Sequence, residues 1–348
     1  MRLESIRNPG VQAALLSAVL FGASTPFAKL LLGEASPWML AGLLYLGSGL
    51  GLGAYRLVRR LPRVRIARRE RMPLAGAILS GGIVAPVLLM VGLSGMPASG
   101  ASLLLNLEGV FTAVLAWVVF RENVDRRVLL GMIAIVAGAV VLSWNGPAAF
   151  ADLWPSLAVA GACFAWGLDN NLTRKVALND ATWLAAVKGL VAGPVNLTLA
   201  FALGATLPAA GVVLAAMGVG VLSYGVSLVL FIVALRHVGT ARAGAYYSIA
   251  PFVGAAIAVA LGAPLTWQLG VAAVLMGLGV WLHLTERHVH EHTHEPLTHD
   301  HSHSHDDGHH DHTHEPPVSV GTHHRHTHTH DAVTHTHPHY PDSHHQHH

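Results

Sequence analysis

"SGASLLLNLEGVFTAVLAWVVFRENV" covers Ser99–Val124, and its reading decides the fold. Between residues 98 and 120 the run carries one ionisable side chain, Glu108, before charge resumes at Arg121. The hydrocarbon core of a bilayer is about 30 Å thick and takes roughly 20 apolar residues of helix to cross. The stretch therefore reads as a membrane span with a carboxylate near its middle. Nine more runs have the same character, at 11–32, 37–55, 73–95, 128–144, 153–173, 181–203, 208–235, 241–262 and 267–285. No soluble domain of ordinary size fits between them. The first run is too long for a cleaved signal core and leads at once into another span, so it reads as a retained helix. The expected fold class is all-α integral membrane, with ten transmembrane helices in the cell (plasma or inner) membrane and the bilayer as partner.

Beyond the last span the material changes. The chain as a whole is 52% hydrophobic and 11% charged, yet residues 288–348 hold 24 of its 26 His. With His neutral, residues 1–287 carry +10 and the tail −8, so the net +2 hides a basic body and an acidic tail. The cations of the body fall in alternate loops. Arg2 and Arg7 precede the first run, eight Arg fill "RLVRRLPRVRIARRER" (56–71), and Arg121, Arg126, Arg127, Arg174, Lys175, Arg236, Arg242 and Arg287 follow the same side. The loops "GEAS", "SGMPAS", "NGPAAFAD", "GATLP" and "GAPL" have none. Positive loops stay in the cytoplasm, which places both termini there. The eight-Arg loop lacks aromatic residues, so topology and anionic headgroups explain it better than a nucleic-acid partner.

The chain also repeats itself. Shifted by 145 positions, Phe21-Gly22 falls on Trp166-Gly167, Lys29 on Arg174 and Trp38 on Trp183; shifted by 142, "EGVFTAVLA" (108–116) falls on "APFVGAAIA" (250–258). Five runs per copy is an odd number, so the second copy enters from the opposite face. The expected domains are 1–144 and 145–287, two inverted five-helix repeats, and a disordered His-rich tail, 288–348. Inverted repeats build the two gates of secondary transporters around a central site.

"FGASTPFAKLLL" (21–32) and the Ser99–Val124 stretch resemble the signatures of EamA domains, the ten-helix drug/metabolite transporter superfamily, over about residues 11–285. That family has a Glu-Pro pair in the fourth helix and a Gly-Glu pair at its cytoplasmic end; this chain has Glu108-Gly109 and Arg121-Glu122. The second copy has Ala250-Pro251 and Gly262-Ala263-Pro264, keeping the proline without the acids. The resemblance implies a secondary carrier with a central cavity. Its members move amino acids, nucleotide precursors, sugars and drugs, so fold does not choose the substrate.

Ionisable groups inside spans are costly and tend to face a cavity or a partner. Glu108, two residues after Asn106, is the first candidate for a substrate-amine or proton site. Asp169-Asn170-Asn171 and Lys188 lie at similar depth, and an Asp169–Lys188 pair is expected, as packing device or as site. Lys29 can snorkel to headgroups or meet substrate. Tyr224 and Tyr246-Tyr247 carry hydroxyls that need partners in apolar surroundings, and Tyr224 and Tyr246 join the candidates. An enzyme is not expected: there is no nucleotide-binding Gly-rich loop with Lys-Ser/Thr and no HExxH, and the single Cys163 lies in an apolar stretch without a nearby base.

The tail is interleaved rather than an unbroken His run, as in "HDHSHSHDDGHHDHTHE" (299–315). Its His299, His301, His303, His305, His309, His310, His312, His314, His324, His326, His328 and His330 form an adaptable multi-site ligand set for Zn, Ni, Co or Cu, because neutral imidazole is the ligand form near pH 7. No cofactor is required otherwise. Two readings stay open. One is a carrier of small solutes whose tail binds metal; the other is a dedicated divalent-metal transporter whose tail collects or senses cargo. Substrate, direction, coupling ion and oligomeric state, a homodimer included, are not set by the sequence.

Overall fold

A computed structural model describes residues 9–64, 66–120, 126–143, 153–176, 179–238 and 246–284 of the body, and 289–293, 297–303, 324–330 and 334–338 of the tail. The chain divides into two compact units, Met1–Glu286 with His348, and Arg287–His347.

Every regular element among the body's described residues is a helix. In chain order the helices are α1 (Pro9–Leu31), α2 (Pro37–Val58), α3 (Arg71–Ala77), α4 (Ala85–Ser94), α5 (Ala98–Leu104), α6 (Leu107–Phe120), α7 (Arg126–Ser143), α8 (Trp154–Arg174), α9 (Ala181–Ala202), α10 (Ala210–Val219), α11 (Ser227–Val238), α12 (Ala250–Ala260) and α13 (Trp267–Leu284). Among the described residues six stretches are long and apolar enough to cross a membrane: Pro9–Leu31, Pro37–Val58, Arg68–Ser94, Ala98–Val119, Ala181–Ala202 and Ala210–Ala234. Leu129–Ser143, Ala250–Ala260 and Trp267–Leu282 are shorter apolar helices. α8 has 21 residues, and Asp169-Asn170-Asn171 interrupts its apolar character.

Capping residues set the helix starts. Ser36 accepts the Met39 N–H at 3.3 Å ahead of α2, with Pro37 in the first turn. Asp180 accepts the Trp183 N–H at 2.9 Å ahead of α9. Such caps satisfy donors that a helix leaves unpaired at its start. Two rods, Arg68–Ser94 and Ala210–Ala234, widen in mid-course into π-helical turns, at Ile78–Val84 and Gly220–Val226. These turns lie 142 positions apart. A π turn spoils the regular backbone ladder and leaves carbonyls to be met by other groups. Gly81 O accepts the Tyr45 hydroxyl (2.6 Å) and Trp166 Nε1 (3.1 Å), and Gly82 O accepts Asn196 Nδ2 (3.1 Å).

Large apolar side chains such as Leu57, Val118, Leu214 and Val274 stay exposed, which suits a surface facing lipid rather than water. Between helices the contact is made by small residues, because in lipid association depends on close backbone approach. α2 and α9 cross through Gly42 against Leu197, Gly193 against Leu46, and Gly49 against Gly189, and a Cβ on Gly189 would collide with the backbone of Tyr45 and Gly49. Position rises on one helix as it falls on the other, so the two run antiparallel. α7 and α13 do the same, with Gly138 on Ala272 and Met276, and Gly279 on Gly131 and Ile135.

Polar contacts sort the loops by face. Arg56 Nη1, in the last turn of α2, meets Asp180 Oδ1 at 2.7 Å and Thr182 Oγ1 at 2.6 Å, and Asn179 Nδ2 reaches Glu70 Oε1 at 3.4 Å. The loops at 59–70 and 175–180 therefore share one face, as their common positive charge led us to expect. Burial would raise the Asp180 carboxyl, but hydrogen bonds from Thr182 and the Trp183 N–H, with the Arg56 charge, hold it below the usual carboxylate range. Lys29 Nζ, in the last turn of α1, donates to Leu93 O (2.6 Å) and Ser94 O (3.2 Å) at the end of α4.

The described part of the tail departs from the disordered expectation. β1 (Val289–Thr293) pairs antiparallel with β4 (Thr334–Pro338), and β2 (Leu297–His303) with β3 (His324–His330). The register sets His299 opposite His328, His301 opposite His326 and His303 opposite His324. Alternation of His with Thr, Ser and Asp has the period of a strand, and β-branched Thr favours one. His305, His309, His310, His312 and His314 lie outside the described residues.

Candidate functional site

The fourth span is not one continuous helix. α5 ends at Leu104 and α6 begins at Leu107, and the backbone bonds at the junction tighten to three-residue spacing: Leu105 N–H to Ser102 O (3.2 Å), Asn106 to Leu103 O (3.0 Å), Glu108 to Leu105 O (3.0 Å). Asn106 explains the break. Its amide donates back to Leu103 O at 2.9 Å, the local bonding by which Asn competes with a helix. Asn106 thus shapes the site from behind; its other neighbour is Met276 Sδ at 3.9 Å.

Glu108 lies in the first turn of α6, where unpaired N–H groups and the helix dipole favour negative charge. Its Oε1 accepts Asn170 Nδ2 at 2.8 Å, and the same amide is 3.2 Å from Thr112 Oγ1. The contact exists because α8 passes α6 closely at Gly167, where a Cβ would crowd Phe111 and Thr112. Asn171 fixes the crossing by donating to Gly167 O (2.8 Å) and Thr112 O (3.2 Å).

The ninth span breaks at the corresponding place. Tyr246 and Tyr247 are helical, Ser248-Ile249 form a turn, and α12 starts at Ala250 with Pro251 in its first turn. In the 142-residue shift Ala250 falls on Glu108, so of the two breaks only the first carries a carboxylate. Against Ala250 packs Gly22 of α1, as Gly167 of α8 packs against Phe111 and Thr112.

A second polar group lies deeper along α8. Lys188 Nζ and Asp169 Oδ1 are 2.6 Å apart, both buried, and Thr173 Oγ1 donates to the carboxylate at 2.7 Å while accepting from Lys188 at 2.9 Å. The Asp169 carboxylate presses on Gly81 in the first π turn, which leaves no room for a side chain there. This pair neutralises itself.

Around Phe21 the structure gathers aromatic rings. Its centroid lies 6.2 Å from Trp166, 5.9 Å from Tyr224 and 5.6 Å from Tyr247; Tyr45 is 5.2 Å from Tyr224, and Phe231 is 4.6 Å from Tyr247. Trp166 of this cluster stands one turn before Asn170 on α8, the residue whose amide meets Glu108. The hydroxyls of Tyr224 and Ser24 close no hydrogen bond, although both residues are buried.

Of the residues singled out in the sequence, Glu108 and Asn170 meet directly, Asp169 and Lys188 meet beside them, and Tyr224 joins the ring cluster. Lys29 lies at the end of α4, and Tyr246 packs with Ala13, Ala14 and Ala234, so neither reaches Glu108. Sequence reasoning missed Tyr45, Thr112 and the use of Phe21 and Trp166. For the last two a signal was present: the 145-residue shift superposes them, and in the structure they touch.

The profile of the EamA-like transporter family matches residues 8–144 and again residues 153–285. The chain belongs to this family. EamA proteins are transporters rather than enzymes, and the apolar helices make this one a multi-pass membrane protein that meets lipid and a small-molecule substrate. An uncharacterized transporter of Methanothermobacter thermautotrophicus is 29% identical over 295 residues, 78% of this chain and 85% of that protein. A probable amino-acid metabolite efflux pump of Salmonella typhimurium is 30% identical over 172 residues, 47% of this chain and 52% of that protein. A solved crystal structure shares the fold at a TM-score of 0.59 and 18% identity, over 78% of this chain and 95% of its own.

The buried pair yields a test. Lys188→Met strands the Asp169 carboxylate and should cost about 3–5 kcal/mol, whereas adding Asp169→Asn removes the stranded charge and should recover most of the loss. Thermal unfolding of the purified variants in detergent measures both; a single variant as stable as the parent would mean that the pair does not hold the fold.

Proposed function

We propose that this EamA-family protein is a secondary carrier that moves a small solute by alternating access, built from ten spans in two inverted five-helix repeats, 1–144 and 145–287. The two profile matches support the repeat. So do the antiparallel crossings of α2 with α9 and α7 with α13, the π turns 142 positions apart, and the like breaks in the fourth and ninth spans. The six long spans, the three shorter apolar helices and α8 make up the ten. The charge bias supports cytoplasmic termini.

The observation that carries the site reading is Glu108, a carboxylate in the first turn of a half-helix, without a counter-ion among the described residues and held by an amide one turn along α8 from Trp166 of the ring cluster. Such broken helices form the central sites of carriers. Glu108 binds the substrate's positive group or the coupling proton, Asn170 orients it, and Tyr224 lines the same space. The Asp169–Lys188 pair fixes α8 against α9 and the first π turn.

The tail binds divalent transition metal, Zn, Ni, Co or Cu, and adjusts the carrier to it; its His repeats support this reading. The alternative, metal as cargo, has less to rest on, because residues 1–287 hold one Cys and two His, His237 and His283, both at the ends of apolar runs.

Two outcomes are expected. Glu108→Gln keeps the hydrogen bond to Asn170 and removes the charge, so transport by the purified protein in vesicles should fall at least tenfold with unchanged insertion; normal transport by this variant would remove Glu108 from the mechanism. Full-length protein should bind Zn at pH 7 and release it by about pH 5, where imidazole is protonated, and protein ending at Thr285 should not. Equal Zn binding by the two would refute a chelating tail.

A further inference from the structure

The chemistry around Glu108 also bears on what it binds. Every charged side chain described in the interior is accounted for: Lys188 is spent on Asp169, and Lys29 on the carbonyls that end α4. Glu108 is left as the one net charge, with an amide as its partner.

The polar handles of the neighbouring rings are largely occupied. The Tyr45 hydroxyl and the Trp166 indole N–H both donate to Gly81 O, the carbonyl freed by the π turn. What these two residues retain for a ligand is ring surface. Trp166 and Asn170 are four residues apart on α8, a spacing that sets them on one face, so the indole and the amide that holds Glu108 are stacked neighbours. The hydroxyls of Tyr224 and Ser24 remain without partners, and a hydroxyl oxygen can accept from N–H or lie against a cationic methyl group. Beside an unpaired carboxylate and ring surface the interior thus offers unpartnered hydroxyl oxygens, those of Ser24 and Tyr224 among them, and no free cation among the described interior residues to receive an anionic group. Aromatic faces attract a cation through the ring quadrupole, most of all where water is excluded.

We propose that the central site selects a monovalent organic cation, an aliphatic or aromatic amine or quaternary ammonium, over a zwitterionic amino acid or an organic anion. This rests on Glu108 being the binding acid of the carrier. The carboxylate supplies the charge partner, and the Phe21, Trp166, Tyr224 and Tyr247 group supplies the cation's apolar lining. A zwitterion would bring a carboxylate next to Glu108 with no counter-charge, and like charges in a low dielectric repel strongly.

The test uses the full-length protein in detergent and in vesicles. Tetraphenylphosphonium is the cationic probe, leucine the zwitterion and benzoate the anion, each followed by equilibrium binding. The parent should bind the cation and neither of the others. Phe21→Leu should weaken cation binding by several-fold to about thirtyfold, the range expected of a desolvated cation–π contact, whereas Phe21→Tyr, which keeps the ring, should bind within about twofold. Monodispersity on gel filtration shows that each variant is folded. Glu108→Gln should abolish cation binding. Binding of leucine or benzoate in place of the cation, or equal binding by Phe21→Leu and the parent, overturns the cation assignment while leaving a Glu108-dependent carrier intact. Cation binding unchanged in Glu108→Gln overturns the assignment and the site reading together.

Discussion

Charge in hydrocarbon has to be neutralised or put to use, and the interior of this protein does one of each. Asp169 and Lys188 cancel at 2.6 Å, with Thr173 completing the carboxylate's bonds. That closed group ties α8 to α9 and seats the first π turn, whose carbonyls then hold Tyr45, Trp166 and Asn196 in place. Glu108 is left with a softer environment: an amide, a helix N-terminus and nearby rings. A carboxylate held in that way keeps a role for a group that arrives from outside, whether substrate or proton.

Under the inverted-repeat reading, the two halves share the scaffold and differ in the chemistry. Both long third rods carry a π turn, both fourth-position spans break, and both crossings of the first helix in each half rest on a glycine, Gly22 or Gly167. The carboxylate survives at one break, and the other has Ala250 and Pro251. A gate in each half needs matched hinges, whereas a single substrate needs a single charge, so symmetry is retained where motion would occur and lost where binding would.

Much of the framework was legible because lipid imposes simple rules. Length and apolarity marked the spans, charge sorted the loops, and the Arg56–Asp180 contact puts two of the positive loops on one face. The run at 153–173 matches α8, Trp154–Arg174, to within a residue despite its Asp169-Asn170-Asn171, whereas the run at 241–262 is interrupted by the turn at Ser248-Ile249. Within the site, intramembrane charge pointed to Glu108, Asp169 and Lys188, and similar depth made the Asp169–Lys188 pair foreseeable, whereas the Asn170 partner of Glu108 was not. Tyr45 and Thr112 were not, because an aromatic or a threonine in a span is ordinary until tertiary packing shows what it touches. Lys29 and Tyr246 look equally suggestive in the sequence, yet the ends of α4 and the alanines of α1 claim them. In the tail, the period of two that suggests chelation also suits strands, and composition alone could not separate a disordered segment from paired ones.

The central claim is that the space beside Glu108 opens in turn to each side of the membrane. Thr112→Cys in a Cys163→Ser background places one thiol there, since Thr112 shares Asn170 with Glu108. Its reaction with a membrane-impermeant thiol reagent, measured in vesicles of both orientations, tests the claim directly. The account predicts labelling from either side; labelling from one side alone, with and without transported solute, would contradict it.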